Sequence, residues 1–292
     1  MANTLPSLTI IAQEALPVLQ QAVPVLSAFT TDFSSEVAQQ GSAVATRIPG
    51  SMTANLYSSA TGYAPTDVST TAVTVTLNAP AYAVVGFTDA EVGNLTMQRL
   101  INTFIKPAIY GVINKVASDT FALVTSGNYG AATYIGTGYT FTNCIQSPMA
   151  ALAAAGVTSD KAVILHSTPY YGVLGDIKAQ NIIGDTTVIR EGYLGNLAGA
   201  SVQMAAGLPS NGENLVGFAC GKEAIAIATR LPFIPSNAPM ISVENVTDEK
   251  SGLTIQLRQW YSPDKGMYLF GAVLAYGVAK GNTSALKRIT SA

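Results

Sequence analysis

The sequence predicts an α+β protein in which a long, nearly uncharged hairpin extension leads directly into a long helix. Between Ile48 and Thr88 the only charged residue is Asp67, and this stretch contains no lysine. Residues 71–77 alternate polar and apolar side chains, a pattern typical of a strand. A hairpin of this length would normally carry charges or proline along its edges to prevent unwanted pairing. We therefore expect the extension to lie against another protein surface and not to belong to the core of its own subunit.

The composition also indicates a protein that associates. Charged residues make up 11% of the 292 residues, against about 25% in ordinary soluble domains. No apolar run reaches the roughly 18 residues of a membrane-spanning helix, so no membrane partner is expected. A net charge of −2 leaves no basic footprint for sequence-specific nucleic-acid binding. The start of the chain predicts no secretory signal, and two isolated cysteines suit a reducing compartment.

The first part of the chain predicts a short helix followed by extended segments. Residues 5–29 have amphipathic spacing, and we expect the helix to break at Pro17 and Pro24, where proline removes a backbone donor. Residues 30–50 are polar and extended. Residues 51–86 form the low-charge extension.

A strong start signal marks the long helix. Thr88 and Glu91 have the spacing of a capping box, in which each residue satisfies a backbone N–H of the other. Apolar residues at helical spacing then continue to about Val124, with a kink expected at Pro107. The expected inward positions include Val92, Leu95, Ile101, Phe104, Ile105, Ala108, Val112 and Val116.

The second half predicts an α/β region followed by an antiparallel β tail. Residues 127–140, rich in glycine and tyrosine, are expected to form a loop. The expected helices are 142–155, 168–179 and 221–229, and the expected strands are 162–165, 215–219, 253–260, 267–279 and 286–289, the last three forming the tail.

Motifs for catalysis or cofactor binding are scarce. The single histidine, His166, ends a predicted strand beside Ser167, and could serve as a general base. No Gly-x-Ser-x-Gly elbow accompanies it, so a histidine satisfied by a neighbouring loop is the simpler reading. One histidine and two isolated cysteines supply too few ligands for a zinc site. We expect no enzyme activity, no cofactor and no metal.

The aromatic residues of the extension point to an interface. Tyr57, Tyr63 and Tyr82 lie in the low-charge segment, where burying a ring against a partner contributes more than exposing it. With Arg47 and Asp67, these residues are the expected intersubunit contacts. The alternative is that the rings fill a local sheet face.

The order of these segments resembles the major capsid proteins of tailed double-stranded DNA bacteriophages, which have the Hong Kong 97 capsid fold. The resemblance covers essentially the whole chain. Residues 1–16 resemble the amino-terminal arm, and residues 41–49 the strand leading into the extended loop. The helix from Asp89 is similar to the spine helix. Residues 142–178 and the region from residue 191 onward resemble the axial domain. Residues 253–289 resemble the β-strands of the peripheral domain.

The resemblance implies four parts. They are an arm over 1–46, an extended β-hairpin loop over 47–86, a peripheral domain with the spine helix over 87–140 and 244–292, and an axial domain over 141–243. It also implies homo-pentamers and homo-hexamers in an icosahedral shell around the genome, located in the virion and assembled in the host cytoplasm. The implied partners are a separate scaffolding protein, a portal, a decoration protein and non-specifically packaged double-stranded DNA.

The sequence departs from the family in one respect. Some members cross-link their subunits through a lysine in the extended loop, and residues 48–88 have none, so no covalent cross-linking of that kind is expected. Two alternatives remain open: an encapsulin-like protein compartment, which would share the fold, and a cytosolic α/β hydrolase that uses His166.

Overall fold

Two six-stranded sheets and a separate two-stranded hairpin make up the β-sheet structure of the described residues. The computed structural model describes residues 11–13, 15–17, 19, 23–38, 41–48, 54–60, 62–63, 65, 71–77, 80–88, 91, 101–180, 194–235, 240, 242–249 and 251–292.

The first sheet has the strand order β1-β10-β13-β12-β11, and β4 also pairs with β13. Its strands are β1 (Thr30–Ala38), β4 (Ala81–Thr88), β10 (Ile225–Pro232), β11 (Ser242–Thr247), β12 (Thr254–Ser262) and β13 (Met267–Lys280). The second sheet has the order β5-β14-β9-β6-β8-β7. Its strands are β5 (Tyr134–Ile135), β6 (Lys161–Leu165), β7 (Asn196–Leu197), β8 (Ala200–Met204), β9 (Leu215–Gly221) and β14 (Leu286–Thr290).

The hairpin consists of β2 (Ala43–Ile48) and β3 (Thr71–Thr76), which pair antiparallel. The α-helices that are described from end to end are α1 (Lys106–Ala122), α2 (Ser126–Tyr129), α3 (Ser147–Ala154) and α4 (Ser167–Gln180). Residues 11–13, 15–17 and 19 are also helical. Short π-helical segments, Ile101–Ile105 and Thr142–Gln146, lead into α1 and α3.

The capping box and the packing of α1 agree with the sequence prediction. The Thr88 backbone N–H and hydroxyl both donate to Glu91 Oε2 at 2.9 Å, which confirms the capping box. α1 packs on β4 and β13, and buries the expected positions Ala108, Val112 and Val116. It ends at Ala122, two residues earlier than expected. The predicted positions within 92–100 lie outside the described residues.

Aromatic contacts join α1 and the π-helical segment before it to the two sheets. Phe87 of β4 meets Phe104 edge to face, with ring centroids 5.3 Å apart. Phe121 makes a similar contact with Phe218 of β9, at 5.8 Å. Phe29, just before β1, stacks on the same Phe218 ring at 6.2 Å. One hydrophobic core therefore runs from the first sheet through the helix into the second.

Three expectations about local structure are wrong. Residues 221–229 were expected to form a helix, but Ile225–Pro232 is the strand β10, buried along its whole length between β1 and β13. The last strand, β14, pairs with β9 and β5 in the second sheet and does not join β12 and β13 in a tail unit. Residues on both sides of Pro17 are helical, contrary to the break expected there. The break expected at Pro24 stays a prediction, because the residues just before the 3₁₀ helix Val23–Ala28 lie outside those described.

Most of the remaining element predictions agree with the structure. The predicted strands 162–165, 215–219, 253–260 and 267–279 correspond to β6, β9, β12 and β13, and the predicted helix 168–179 corresponds to α4. The loop expected over 127–140 contains the end of α2 and the two-residue strand β5. The division into arm, loop, peripheral and axial parts stays a prediction.

Candidate intersubunit surface

The hairpin presents one face to its own subunit and the other to solvent. Val73, Val75 and Leu77 are buried at 7%, 0% and 0% exposure, whereas the alternate residues Ala72 and Thr74 are exposed. This alternation is the consequence of the two-residue period of a strand. The part of the extension nearest the sheet therefore contributes to its own subunit's core, contrary to the expectation from the sequence.

A tight turn shapes the far part of the extension. Ser58 and Gly62 form an isolated antiparallel bridge, and the Gly62 N–H donates to the Ser58 carbonyl at 2.8 Å. The Ala60 N–H donates to Ser58 Oγ at 3.3 Å. Gly62 has φ = +63°, a left-handed conformation that glycine adopts without steric cost. The chain therefore reverses here and brings its two flanks together.

The reversal brings together two tyrosines on either side of the turn, with five residues between them. The rings of Tyr57 and Tyr63 lie with centroids 4.9 Å apart, at 44° to each other. Tyr57 is 62% exposed, Tyr63 90% and the neighbouring Leu56 98%. We call Leu56, Tyr57 and Tyr63 the tip cluster. Three large exposed side chains near one turn, two of them in ring contact, are typical of a surface that binds another protein.

A second partly exposed apolar surface lies on β4 and its neighbours in the first sheet. Tyr82 and Val84 point away from the core, at 72% and 41% exposure, while Phe87 points inward. Val84 is directly opposite Gly271. A Cβ on Gly271 would lie 3.2–3.3 Å from both the Trp260 ring and Val84 Cγ2, so these two side chains meet above this glycine.

The structure brings some of the predicted contact residues together and separates others. Tyr57 and Tyr63 form one cluster, as residues of a single interface should. Tyr82 lies in β4 of the first sheet, opposite Val273 of β13. Arg47 pairs with Ala72 in the hairpin backbone, and its side chain lies outside the described residues, as does Asp67. Whether these five residues form intersubunit contacts stays a prediction.

Sequence reasoning missed Leu56, Val84 and Trp260. Leu56 had a usable signal, because it is the apolar neighbour of Tyr57 in a segment already expected to be exposed. Val84 and Trp260 had no such signal. Their side chains meet because β4 and β12 pair with opposite edges of β13 on either side of Gly271. Strand partners so far apart in the sequence leave no local pattern.

The surroundings of His166 are those of a strand end. Its backbone N–H donates to the Val216 carbonyl at 2.8 Å, and its carbonyl accepts from the Tyr170 N–H. Ser167 Oγ lies 3.3 Å from His166 Nδ1, a contact between adjacent residues. Nucleophilic catalysis also requires a group that orients the base. No carboxylate hydrogen-bonds to this ring within the described part of the chain.

The two cysteines are structural. Cys144 and Cys220 are both free and fully buried. Burial raises the pKa of each thiol to about 12, so neither forms the reactive thiolate near neutral pH. Within the described ranges, no three histidine, cysteine or carboxylate side chains cluster as metal ligands would. The described helices also include none with the length and apolar character needed to cross a membrane.

The hairpin, the helix packed on a sheet and the second sheet define an α+β architecture. Solved phage capsid structures share it along most of their length. A chain of Microbacterium phage Oxtober96 superposes with a TM-score of 0.56 at 13% identity, covering 92% of this chain and 91% of that one. The capsid structure of the cyanophage P-SCSP1u gives 0.55 at 12% identity, covering 91% and 86%. The capsid of an empty GTA particle gives 0.54 at 13% identity, covering 93% and 90%.

These superpositions show that this chain shares its fold with the capsid structures. The chain has the Hong Kong 97 capsid fold, and the resemblance found in the sequence is confirmed at that level. No protein-family model matches the sequence, and no curated protein is found to match it.

Proposed function

We propose that this protein is the major capsid protein of a tailed double-stranded DNA bacteriophage, a structural subunit with no catalytic role. The observation that carries the proposal is the shared fold, which extends over about nine-tenths of this chain and of capsid chains from several particles. The exposed tip cluster supplies the kind of surface that such a subunit needs. The hydrolase alternative has no comparable support, because His166 lacks an orienting carboxylate among the described residues.

In this function, copies of the chain associate into pentamers and hexamers that close into an icosahedral shell. The tip cluster of one copy would lie on a different surface of its neighbour, so the contact is heterologous and generates rings. Single contacts of this size are weak, but each subunit makes several at once and the shell gains their combined strength. The low charge of the chain favours this, because little charged surface must be desolvated.

The further partners belong to the same proposal. A separate scaffolding protein would guide assembly, a portal would occupy one vertex, and a decoration protein would bind the outer surface. The packaged DNA would be held without sequence recognition, since the 15 lysine and arginine residues are outnumbered by 17 acidic ones and give the chain no excess of positive charge to neutralise phosphates. The finished shell would reside in the virion, after assembly in the host cytoplasm.

Negative-stain electron microscopy and sedimentation of the purified protein, alone and co-expressed with a scaffolding protein, test the function directly. We expect closed particles, or rings of five and six subunits. A monodisperse species of 30.2 kDa at high concentration under both conditions would contradict the proposal. Particles that enclose another protein and no DNA when isolated from their natural source would favour the encapsulin-like alternative.

A further inference from the structure

The hairpin is attached to its own subunit by side-chain packing and not by strand pairing. β2 and β3 pair with each other, and neither joins a third strand among those described. Val73, Val75 and Leu77 pack against Ala226 and Ala228 of β10, in a cluster separate from the main core. The direction in which the extension leaves the subunit therefore depends on how closely β3 fits the sheet beneath it.

The sheet beneath β3 is lined by the smallest residues. In the pairing of β10 with β13, Ala226 is opposite Ala279 and Ala228 is opposite Gly277. Side chains of directly paired residues lie on the same face of a sheet. These four residues form a shallow patch, which we call the hairpin seat, and the Val73, Val75 and Leu77 side chains occupy it.

The closest approach in the seat is at Gly277. A Cβ at this position would overlap the carbonyl oxygen of Thr76, and would lie 2.9 Å from its carbonyl carbon and 2.8 Å from Val75 Cγ1. Gly277 is not among the glycines with positive φ, so its backbone does not require glycine. The requirement comes from the proximity of another backbone, which cannot rotate away as a side chain can.

We propose that Gly277 is a positioning residue for assembly, because the hairpin seat fixes the angle at which the extension leaves the subunit. This inference rests on the proposed function. Carbon–oxygen contacts normally lie near 3.3–3.6 Å, so any side chain at this position must lift β3 by roughly 1 Å. Because β3 connects the extension to the subunit, a lift of β3 also changes the position of the tip cluster.

The test compares Gly277→Ala with Gly111→Ala. Gly111 is exposed on α1, and a Cβ there meets nothing within 4 Å, so the control adds the same atom in open space. We expect both variants to melt cooperatively. We expect Gly111→Ala to form particles normally and Gly277→Ala to lose at least about tenfold in particle yield, since overpacked contacts are costly to accommodate. Normal particles from Gly277→Ala would overturn the proposal.

A distance measurement in the unassembled subunit tests the angle itself. Spin labels on Ser59→Cys near the tip and Asp264→Cys on the β12–β13 turn occupy exposed positions, and the buried native cysteines do not take up label. We expect the inter-label distance to shift in Gly277→Ala and to stay unchanged in Gly111→Ala. An unchanged distance in Gly277→Ala contradicts the proposal.

A second variant covers the case in which Gly277→Ala does not fold. Val75→Ala removes part of the side chain that fills the seat and adds no atom. We expect a broader inter-label distance distribution and a lower particle yield, whereas an unchanged distribution would overturn the proposal. If the wild-type protein forms no particles, the proposed function fails, while the distance measurement still decides whether Gly277 sets the angle.

Discussion

The guanidinium of Arg230 binds the carboxylate of Asp32 through contacts of 3.3 Å from Nη1 to Oδ1 and 3.1 Å from Nη2 to Oδ2. Nη1 also donates to the backbone carbonyls of Asp32 and Thr229. The Arg230 side chain is 10% exposed and that of Asp32 40%. This pair joins the strand β1 to its parallel neighbour β10, so a segment near the start of the chain is fixed to a strand almost 200 residues later.

Asp32→Ala should lower the free energy of unfolding by about 1–2 kcal/mol. The variant leaves a mostly buried guanidinium without its carboxylate, and the exposure of Asp32 reduces the effect. Urea denaturation measures it, with Asp264→Ala, which removes an exposed turn carboxylate, as the control. Equal unfolding midpoints for the two variants would show that the pair adds nothing to the β1–β10 contact.

The double substitution Tyr57→Ser with Tyr63→Ser should leave the fold intact and prevent assembly. Both rings are largely exposed, so the free energy of unfolding should change by only about 0.5 kcal/mol. Sedimentation velocity measures assembly. Tyr171→Ser is the control, because this tyrosine is 58% exposed on α4, away from the hairpin in the sequence. Shells of normal yield and size from the double variant would rule out the tip cluster as an assembly contact.

Two deletions of different length should separate assembly from folding. Replacing residues 55–65 with a short Gly-Ser turn should give a cooperatively melting protein that forms no particles. Extending the deletion to residue 80 removes Val73, Val75 and Leu77 and exposes Ala226 and Ala228. It should therefore cost at least about 3 kcal/mol, since each buried aliphatic side chain contributes roughly 1.5–3 kcal/mol. Thermal melts of both variants check this. Equal stability would mean that the hairpin seat does not contribute to the core.

The stability of the protein should fall on acidification partly through Glu213. Hydrogen bonds from Ser126, and then the Arg288 guanidinium, lower the pKa of this carboxyl below its ordinary value of 4.5. A carboxyl with a lowered folded-state pKa contributes stability above the unfolded-state pKa, and this stability is lost as the pH falls through the folded-state value.

Urea midpoints measured between pH 7 and pH 3 test this contribution. In Glu213→Gln the decline below about pH 4.5 should be shallower than in the wild type, whatever the offset at neutral pH. Glu249→Gln, at an exposed turn position, should keep the wild-type slope. A parallel decline in all three proteins would exclude Glu213 as a source of the acid sensitivity.

Several features of the fold could be predicted from the sequence because their causes are local. Thr88 and Glu91 form a capping box through contacts three residues apart, and the spacing alone predicts it. The alternation in residues 71–77 gives β3, and Pro169 near the start of α4 suits the first turn of a helix. The nearly uncharged extension also identified the region that carries Tyr57 and Tyr63.

The candidate surface was predictable only in part. The sequence placed two tyrosines in an exposed segment, and the reversal at Gly62 brings their rings together. The sequence also grouped Tyr82 with these two tyrosines, although Tyr82 lies in β4, a strand paired with β13. The difference arises because β4 follows the extension without any break in composition, and only its distant partner strand shows where the sheet begins.

By itself, the sequence determined the local elements, the low charge and the apolar tip, because each depends on residues within a turn or a strand of one another. The tertiary structure alone decided that residues 225–232 form a strand, that β14 joins the second sheet and that Gly277 lies under Thr76. Each of these depends on partners tens to hundreds of residues away. The free energy of a strand comes from its pairing and burial and not from its own propensity, so the partners had to be known first.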